Sequence, residues 1–208
     1  ARESLYPSIL EQLAMRYSGP GPTELLICHN KSLTKKLLVD YDIPMAWSEL
    51  LRSPADLESL RTTEVPFPII VKLNSEGSSL GMDEHCIVHT WDELVRQVKA
   101  VWEKFHTNIL LEEYIEGTDI SMSYIEGMGE FGPVQYMYPD SDIYDFRLKT
   151  KDNHTVDVVP FQDAPNTLRQ KLKELTQKIA KVLDINGYAR ADFRVTPDDR
   201  IYFLEMNA

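Results

Sequence analysis

Two short apolar runs near the carboxy terminus, residues 188–195 and 200–206, flank the turn-rich Thr196-Pro197-Asp198-Asp199. Side chains alternate along a strand, so Arg190, Asp192 and Arg194 share one face of the first run. Phe203, Glu205 and Asn207 likewise share one face of the second. A hairpin closed by an even number of loop residues, Asp198-Asp199 or Thr196 to Asp199, pairs even positions with odd ones. Directly opposed residues share a face, which puts Arg190 and Asp192 beside Glu205 and Asn207, the latter two roughly 7 Å apart along their strand. Two carboxylates, an amide oxygen and a guanidinium on one surface suit a hard cation carried on a polyphosphate, because Mg²⁺ takes oxygen ligands and shares its shell with phosphate oxygens. An amphipathic hairpin with solvated charges would show the same pattern.

Two further stretches carry chemistry. The loop Asn74-Ser75-Glu76-Gly77-Ser78-Ser79-Leu80-Gly81 follows a strand-like run that contains Lys72. Small residues let backbone amides approach an anion, and the hydroxyls of Ser78 and Ser79 add donors. It is neither a Walker A loop nor a dinucleotide fingerprint, and a plain β-turn has the same composition. Glu112-Glu113-Tyr114-Ile115 closes another strand, followed by Gly117 and Asp119. A strand edge there can offer alternating N–H and C=O groups to a purine, with a carboxylate for ribose hydroxyls. A charged edge strand guarded against aggregation is the alternative.

The elements that must position these residues form an α+β mixture. Leu5, Ile9, Leu10 and Leu13 predict a first helix, and Gly/Pro-rich residues 17–22 a turn. Leu33, Leu37, Leu38 and Tyr41 predict one face of a second helix, stopped by Pro44. Ser53 caps a short helix with Pro54 at its first position. Strands are expected at 67–72, 86–89, 109–114, 120–126, 131–136 and 154–159. Thr90 and Glu93 form a capping box for a helix with the stripe Leu94, Val98, Val101, Trp102 and Phe105. Leu168, Leu172, Leu175, Ile179 and Val182 mark a long helix, and residues 138–151 a polar loop.

Composition excludes several classes. The chain has 208 residues, 43% hydrophobic, and a net charge of −11, which argues against a nucleic-acid surface as the main function. Cys28 and Cys86 are too few for a disulfide framework or a cysteine-based zinc site. The histidines lack metal-ligand spacing. No apolar run approaches the ~18 residues of a membrane span, and no signal peptide opens the chain, so a cytoplasmic, reduced compartment is the expectation. The absence of an initiator Met and the stop one residue past Asn207 suggest a piece of a longer protein.

Four ordered motifs carry a resemblance: FPIIVKLNSEGSSLGM at 67–82, ILLEEYIEGTDI at 109–120, YDFRLK at 144–149 and GYARADFRVTPDDRIYFLEMN at 187–207. Together they resemble the ATP-grasp ligases, specifically the D-alanine–D-alanine ligase family, and Ser18-Gly19-Pro20-Gly21 and His29-Asn30-Lys31 resemble that family's entry into its ATP-binding part. The resemblance implies an α+β ATP-grasp fold whose two subdomains clamp a nucleotide. It implies the end of a truncated amino-terminal domain over 1–30, a small subdomain over 31–116 and a truncated carboxy-terminal subdomain over 117–208. Lys31 and Lys72 are implied at nucleotide phosphates, and Ser78 and Ser79 in the loop over the triphosphate. Glu112, Glu113 and Ile115 are implied at adenine, Asp119 at ribose and Lys149 at the γ-phosphate. Asp192, Glu205 and Asn207 are implied as ligands of two Mg²⁺ ions, with Mn²⁺ as a substitute. Arg190 is implied at the oxyanion, with Lys149 and Ser79 beside it as catalytic residues.

The implied partners are ATP and small amino-acid substrates, with neither nucleic acid nor membrane, and a homodimer is left open. The implied activity joins a carboxylate to an amine through an acyl phosphate, D-alanine to D-alanine for peptidoglycan precursors. A ligase of another amino-acid or peptide pair, or a non-catalytic ATP sensor, are the competing readings. Leu73 replaces the proline usual after the lysine, Asp42 the glycine before Ile43-Pro44, and Thr150 an aromatic or histidine that helps select the second substrate.

Overall fold

The structure, a computed structural model, describes residues 3–76, 86–137, 157–162 and 164–208. They fall into two compact units, one built from Ala1–Met45, Glu116–Met137 and Asp157–Ala208, the other from Ala46–Ile115. The first stretch of the larger unit runs on past residue 30 to Met45. Cys28, Leu38 and Ile43 share one core with Ile120, Phe193 and Phe203, so the chain up to Met45 packs with the carboxy-terminal sheet.

In the smaller unit, β1 (Ser48–Leu51), β4 (Ile109–Glu113), β2 (Ile69–Leu73) and β3 (Ile87–Val88) form an antiparallel sheet in that order. Strand β2 is buried along its whole length, as a strand inside a sheet under a helix must be. The helix is α5 (Trp91–Phe105), whose Leu94, Val98 and Val101 are buried with Ile69, Val71, Ile109 and Leu111. Thr90 caps it by accepting the Glu93 N–H, while the Glu93 carboxylate accepts from the backbone N–H of His89. Ser53 and Asp56 close a reciprocal cap over Pro54–Asp56, leading into α4 (Leu57–Leu60). The strand β1 escapes a pattern search because three of its four residues are only partly buried or exposed.

In the larger unit, β10 (Ile201–Asn207), β9 (Tyr188–Val195), β5 (Thr118–Ile125), β7 (Val134–Met137) and β8 (Asp157–Pro160) are antiparallel neighbours in that order. A further strand, β6 (Gly129–Glu130), pairs with β5. One face of the sheet carries Ala189, Ala191, Phe193, Ile120, Met122, Phe203 and Met206. It shares a core with Leu168, Leu172 and Ile179 of the helix α6 (Asn166–Val182). The other face is polar and carries the candidate site.

Before this sheet come α1 (Leu5–Gln12), α2 (Pro22–His29) and α3 (Lys31–Leu38). The helix α2, entered through Pro22, was not expected from the pattern. The face predicted for α3 is only partly correct: Leu38 is buried, but Leu33, Leu37 and Tyr41 are exposed and Ser32, Thr34 and Lys35 are buried instead. Thr34 turns inward because its hydroxyl bonds the carbonyl of Ile27 on α2. Among the described residues no helix is long and apolar enough to cross a membrane.

Gly117 marks where the chain enters β5. An added Cβ would lie 2.2 Å from the carbonyl oxygen of Val195, on a backbone with φ of +158°. Thr118 pairs with that same Val195, so neither strand can retreat without losing register. Gly117→Ala is expected to cost about 2 kcal/mol as an overpacked contact, read as a lowered urea midpoint. An unchanged midpoint would mean the two strands separate freely there.

Candidate active site

The polar face of the larger sheet is organised as rows across three strands. Ser121 on β5, Asp192 on β9 and Glu205 on β10 form one row, each directly opposite the next. Ser123, Arg190 and Asn207 form the adjacent row, and Asp119, Arg194 and Tyr202 lie on the other side. The expected juxtaposition of Arg190 and Asp192 with Glu205 and Asn207 is present, but an even-numbered loop does not produce it. The turn pairs Val195 with Ile201 and Phe193 with Phe203, odd with odd, and a β-bulge between Phe203 and Glu205 then shifts the register by one. Without that bulge Glu205 would face the core. Beside the bulge the N–H of Phe203 donates to the carbonyl of Pro44 at 2.8 Å, a contact distant in sequence.

Charges on this face are paired. Arg190 grips Asp192 through two parallel bonds, Nε to Oδ1 at 2.8 Å and Nη2 to Oδ2 at 2.9 Å. The Asn207 amide donates to Asp192 Oδ2 at 2.8 Å, and the Ser121 hydroxyl donates to Oδ1. Lys31, the first residue of α3, places Nζ 3.2 Å from Glu205 Oε2. Burial pushes the Asp192 carboxyl above the ordinary carboxylate range against the pull of Arg190, and the charge of Glu205 adds to that push. The bond to Asp192 makes the Arg190 guanidinium a still weaker acid.

The donor set fits a hard divalent ion. Asp192, Glu205 and the side-chain oxygen of Asn207 are oxygen donors, and the like charges of the two carboxylates favour a cation close by. Among the described residues no group of three or more His, Cys, Asp or Glu side chains could hold an ion unaided. Two carboxylates are instead what Mg²⁺ takes when phosphate oxygens and water complete its shell.

The smaller unit joins two other sequence-predicted residues. Lys72 on β2 and Glu112 on β4 form a buried ion pair through Nζ and Oε1, with side chains 10% and 2% exposed. The register that pairs Lys72 with Leu110 and Ile70 with Glu112 makes them diagonal neighbours on one face. Glu113 ends β4 half-buried, its N–H bonded to the carbonyl of Trp47, and Ile115 follows two residues later. Asp119 in the larger unit accepts from the buried Arg194 at 2.7 Å. Ser78, Ser79 and Lys149 lie outside the described residues. Both cysteines are buried and unpaired with each other, and burial pushes the Cys28 thiol up to about 12.

Sequence reasoning missed Ser121, Tyr136 and the pairing role of Arg194. The signal was present for the first: two residues after Asp119, Ser121 must share its face.

Comparison with known proteins places this arrangement. The profile described as "D-ala D-ala ligase C-terminus" matches residues 37–208. The D-alanine–D-alanine ligase of Aquifex aeolicus is 32% identical over 200 residues, covering 96% of this chain and 65% of that protein. D-alanine–D-alanine ligase A of Bacillus cereus is 30% identical over 199 residues, covering 95% and 63%. The ATP-complexed D-alanine–D-alanine ligase of Bacillus anthracis superposes with a TM-score of 0.77 at 23% identity, over 98% of this chain and 62% of that one. The VanG D-Ala:D-Ser ligase of Enterococcus faecalis gives a TM-score of 0.82 at 19% identity, over 98% and 59%. The fold is therefore the ATP-grasp fold. The chain belongs to the D-alanine–D-alanine ligase family, matching its carboxy-terminal part. It spans under two thirds of the length of the relatives named here.

Proposed function

We propose that the protein to which this chain belongs is an ATP-dependent carboxylate–amine ligase, joining D-alanine to D-alanine through an acyl phosphate. The observation that carries this is the row Ser121–Asp192–Glu205 with Arg190 and Lys31 on its two carboxylates. A nucleotide sensor needs phosphate and metal contacts, but has no use for a guanidinium held beside the metal-binding carboxylates.

A carboxylate is a poor electrophile, so its oxygen must first take the γ-phosphoryl group of ATP. One O–P bond forms while the bond to the ADP oxygen breaks. Two anions meet in that step, and Mg²⁺ held by Asp192, Glu205 and Asn207 would neutralise the charge they share. Lys31 and Lys72 contribute positive charge at the phosphates, as does Lys149. Glu112, Glu113 and the backbone of Ile115 serve the adenine, and Asp119 the ribose. The amine then attacks the acyl carbon, and the C–O bond to phosphate breaks as the amide forms. Arg190 faces the oxyanion that develops between those events. To Ser78, Ser79 and Lys149 the resemblance assigns the further task of keeping water from the acyl phosphate, which otherwise hydrolyses.

The fold does not choose the acceptor, since one matched structure is named a D-Ala:D-Ser ligase. The test is Mg-ATP-dependent phosphate release by the full-length protein with D-alanine, then with other amino and hydroxy acids. D-alanyl-D-alanine as the product establishes the proposed pair. Release only with a different pair keeps the ligase chemistry and moves the substrate. ATP bound without release under any pair favours the sensor.

A further inference from the structure

We propose that Ser121 is a positioning residue that decides which oxygen of Asp192 meets the metal, and thereby favours Mg²⁺ over Ca²⁺. This rests on Asp192 being a metal ligand. An ionised carboxylate has about four acceptor sites, and four donors reach Asp192. Oδ1 accepts from Arg190 Nε and Ser121 Oγ, and Oδ2 from Arg190 Nη2 and Asn207 Nδ2. A metal can enter only where a donor leaves.

The donors differ in their ability to leave. Arg190 and Asn207 are exposed side chains able to rotate away from the carboxylate. Ser121 is 2% exposed in the middle of β5, and the strand register holds it directly opposite Asp192. Its hydroxyl has one proton, which goes to Asp192. The Tyr136 hydroxyl lies 3.4 Å from Ser121 Oγ, a second and longer contact of the same serine. When Arg190 and Asn207 withdraw, Oδ2 loses both its donors, while Oδ1 keeps the serine hydroxyl on one of its two acceptor sites and is the poorer oxygen for a metal. A carboxylate whose second oxygen is weakened by a retained hydrogen bond favours binding through one oxygen, which suits the tight six-coordinate shell of Mg²⁺, whereas Ca²⁺ accepts more ligands and often takes both oxygens of one carboxylate.

The test uses full-length protein loaded with Mn²⁺ in the presence of saturating ADP, with protein-bound and unbound ion distinguished by electron paramagnetic resonance. The Mn²⁺ is displaced by Mg²⁺ or by Ca²⁺. Ser121→Ala is expected to lose about tenfold of the Mg²⁺-over-Ca²⁺ preference, in the range of a lost contact to a metal ligand. Ser121→Thr keeps the hydroxyl and the preference, and Tyr136→Phe shifts it the same way by less. A purely structural defect weakens both ions alike and leaves the ratio unchanged. An unchanged ratio in Ser121→Ala, with Asp192→Asn no longer binding Mn²⁺, overturns the role of Ser121 and leaves the metal assignment standing. Wild-type Mn²⁺ affinity in Asp192→Asn overturns the metal assignment itself. Should Ser121→Ala not fold, an unchanged ratio in Tyr136→Phe overturns the proposal.

Discussion

Arg190→Met is expected to lower turnover of the full-length protein roughly 10²–10³-fold, the usual loss for one oxyanion donor, while making nucleotide-free Mn²⁺ binding tighter. The second half follows from the geometry. Arg190 holds both oxygens of Asp192, and Lys31 sits on Glu205. Before nucleotide arrives, these internal cations occupy the carboxylates proposed for metal. Metal must displace them, and its apparent affinity falls by the fraction of molecules in which they are in place. Removing the guanidinium removes that competition, and a gain of about tenfold corresponds to a pair formed in ~90% of molecules. Arriving phosphates would then take up the released Lys31 and Arg190, so metal and nucleotide should bind cooperatively. Calorimetric titration with Mn²⁺, with and without ADP, reads both effects. Equal or weaker Mn²⁺ binding by Arg190→Met would show that the pair does not compete with metal.

The second large effect is on stability. Lys72→Met removes the ammonium that pairs with the carboxylate of Glu112, whose side chain is 2% exposed. Losing one member of a buried pair costs about 3–5 kcal/mol. The double variant Lys72→Met with Glu112→Leu removes both charges and should recover most of that cost, because burying two charges is itself unfavourable. Nucleotide binding should fail in both, since Lys72 is proposed to meet phosphate and Glu112 adenine. Urea unfolding and ADP titration of the same samples separate the two roles. A single-variant cost under about 1 kcal/mol would place the pair with exposed ones. Recovered ADP binding in the double variant would remove both residues from the nucleotide site.

Local chemistry made much of this fold legible. The Thr90 cap and the Ser53-Pro54 start are each written within one turn of helix, the α6 stripe is written in its spacing of three and four residues, and the structure has all three. What escaped depends on contacts distant in sequence. An even hairpin loop would bring Asp192 and Glu205 to one face, yet they share it through a bulge between Phe203 and Glu205, which no hairpin pattern contains. The α3 stripe of Leu33, Leu37 and Tyr41 had helical spacing, but Thr34 and Lys35 took the buried side once α2 supplied a carbonyl for the threonine. At the site, residue types were readable and pairings were not. Lys72 and Glu112 stand in separate motifs, and only the β2–β4 register makes them neighbours.

The most direct test of the ligase chemistry is to follow oxygen from substrate to phosphate. Full-length protein turning over with Mg-ATP and D-alanine labelled with ¹⁸O in its carboxylate should release inorganic phosphate carrying one ¹⁸O per peptide bond formed. The carboxylate oxygen that attacks the γ-phosphorus leaves with it when the amine displaces the acyl phosphate. Unlabelled phosphate, released by simple hydrolysis of ATP, would contradict an acyl-phosphate ligase acting on D-alanine.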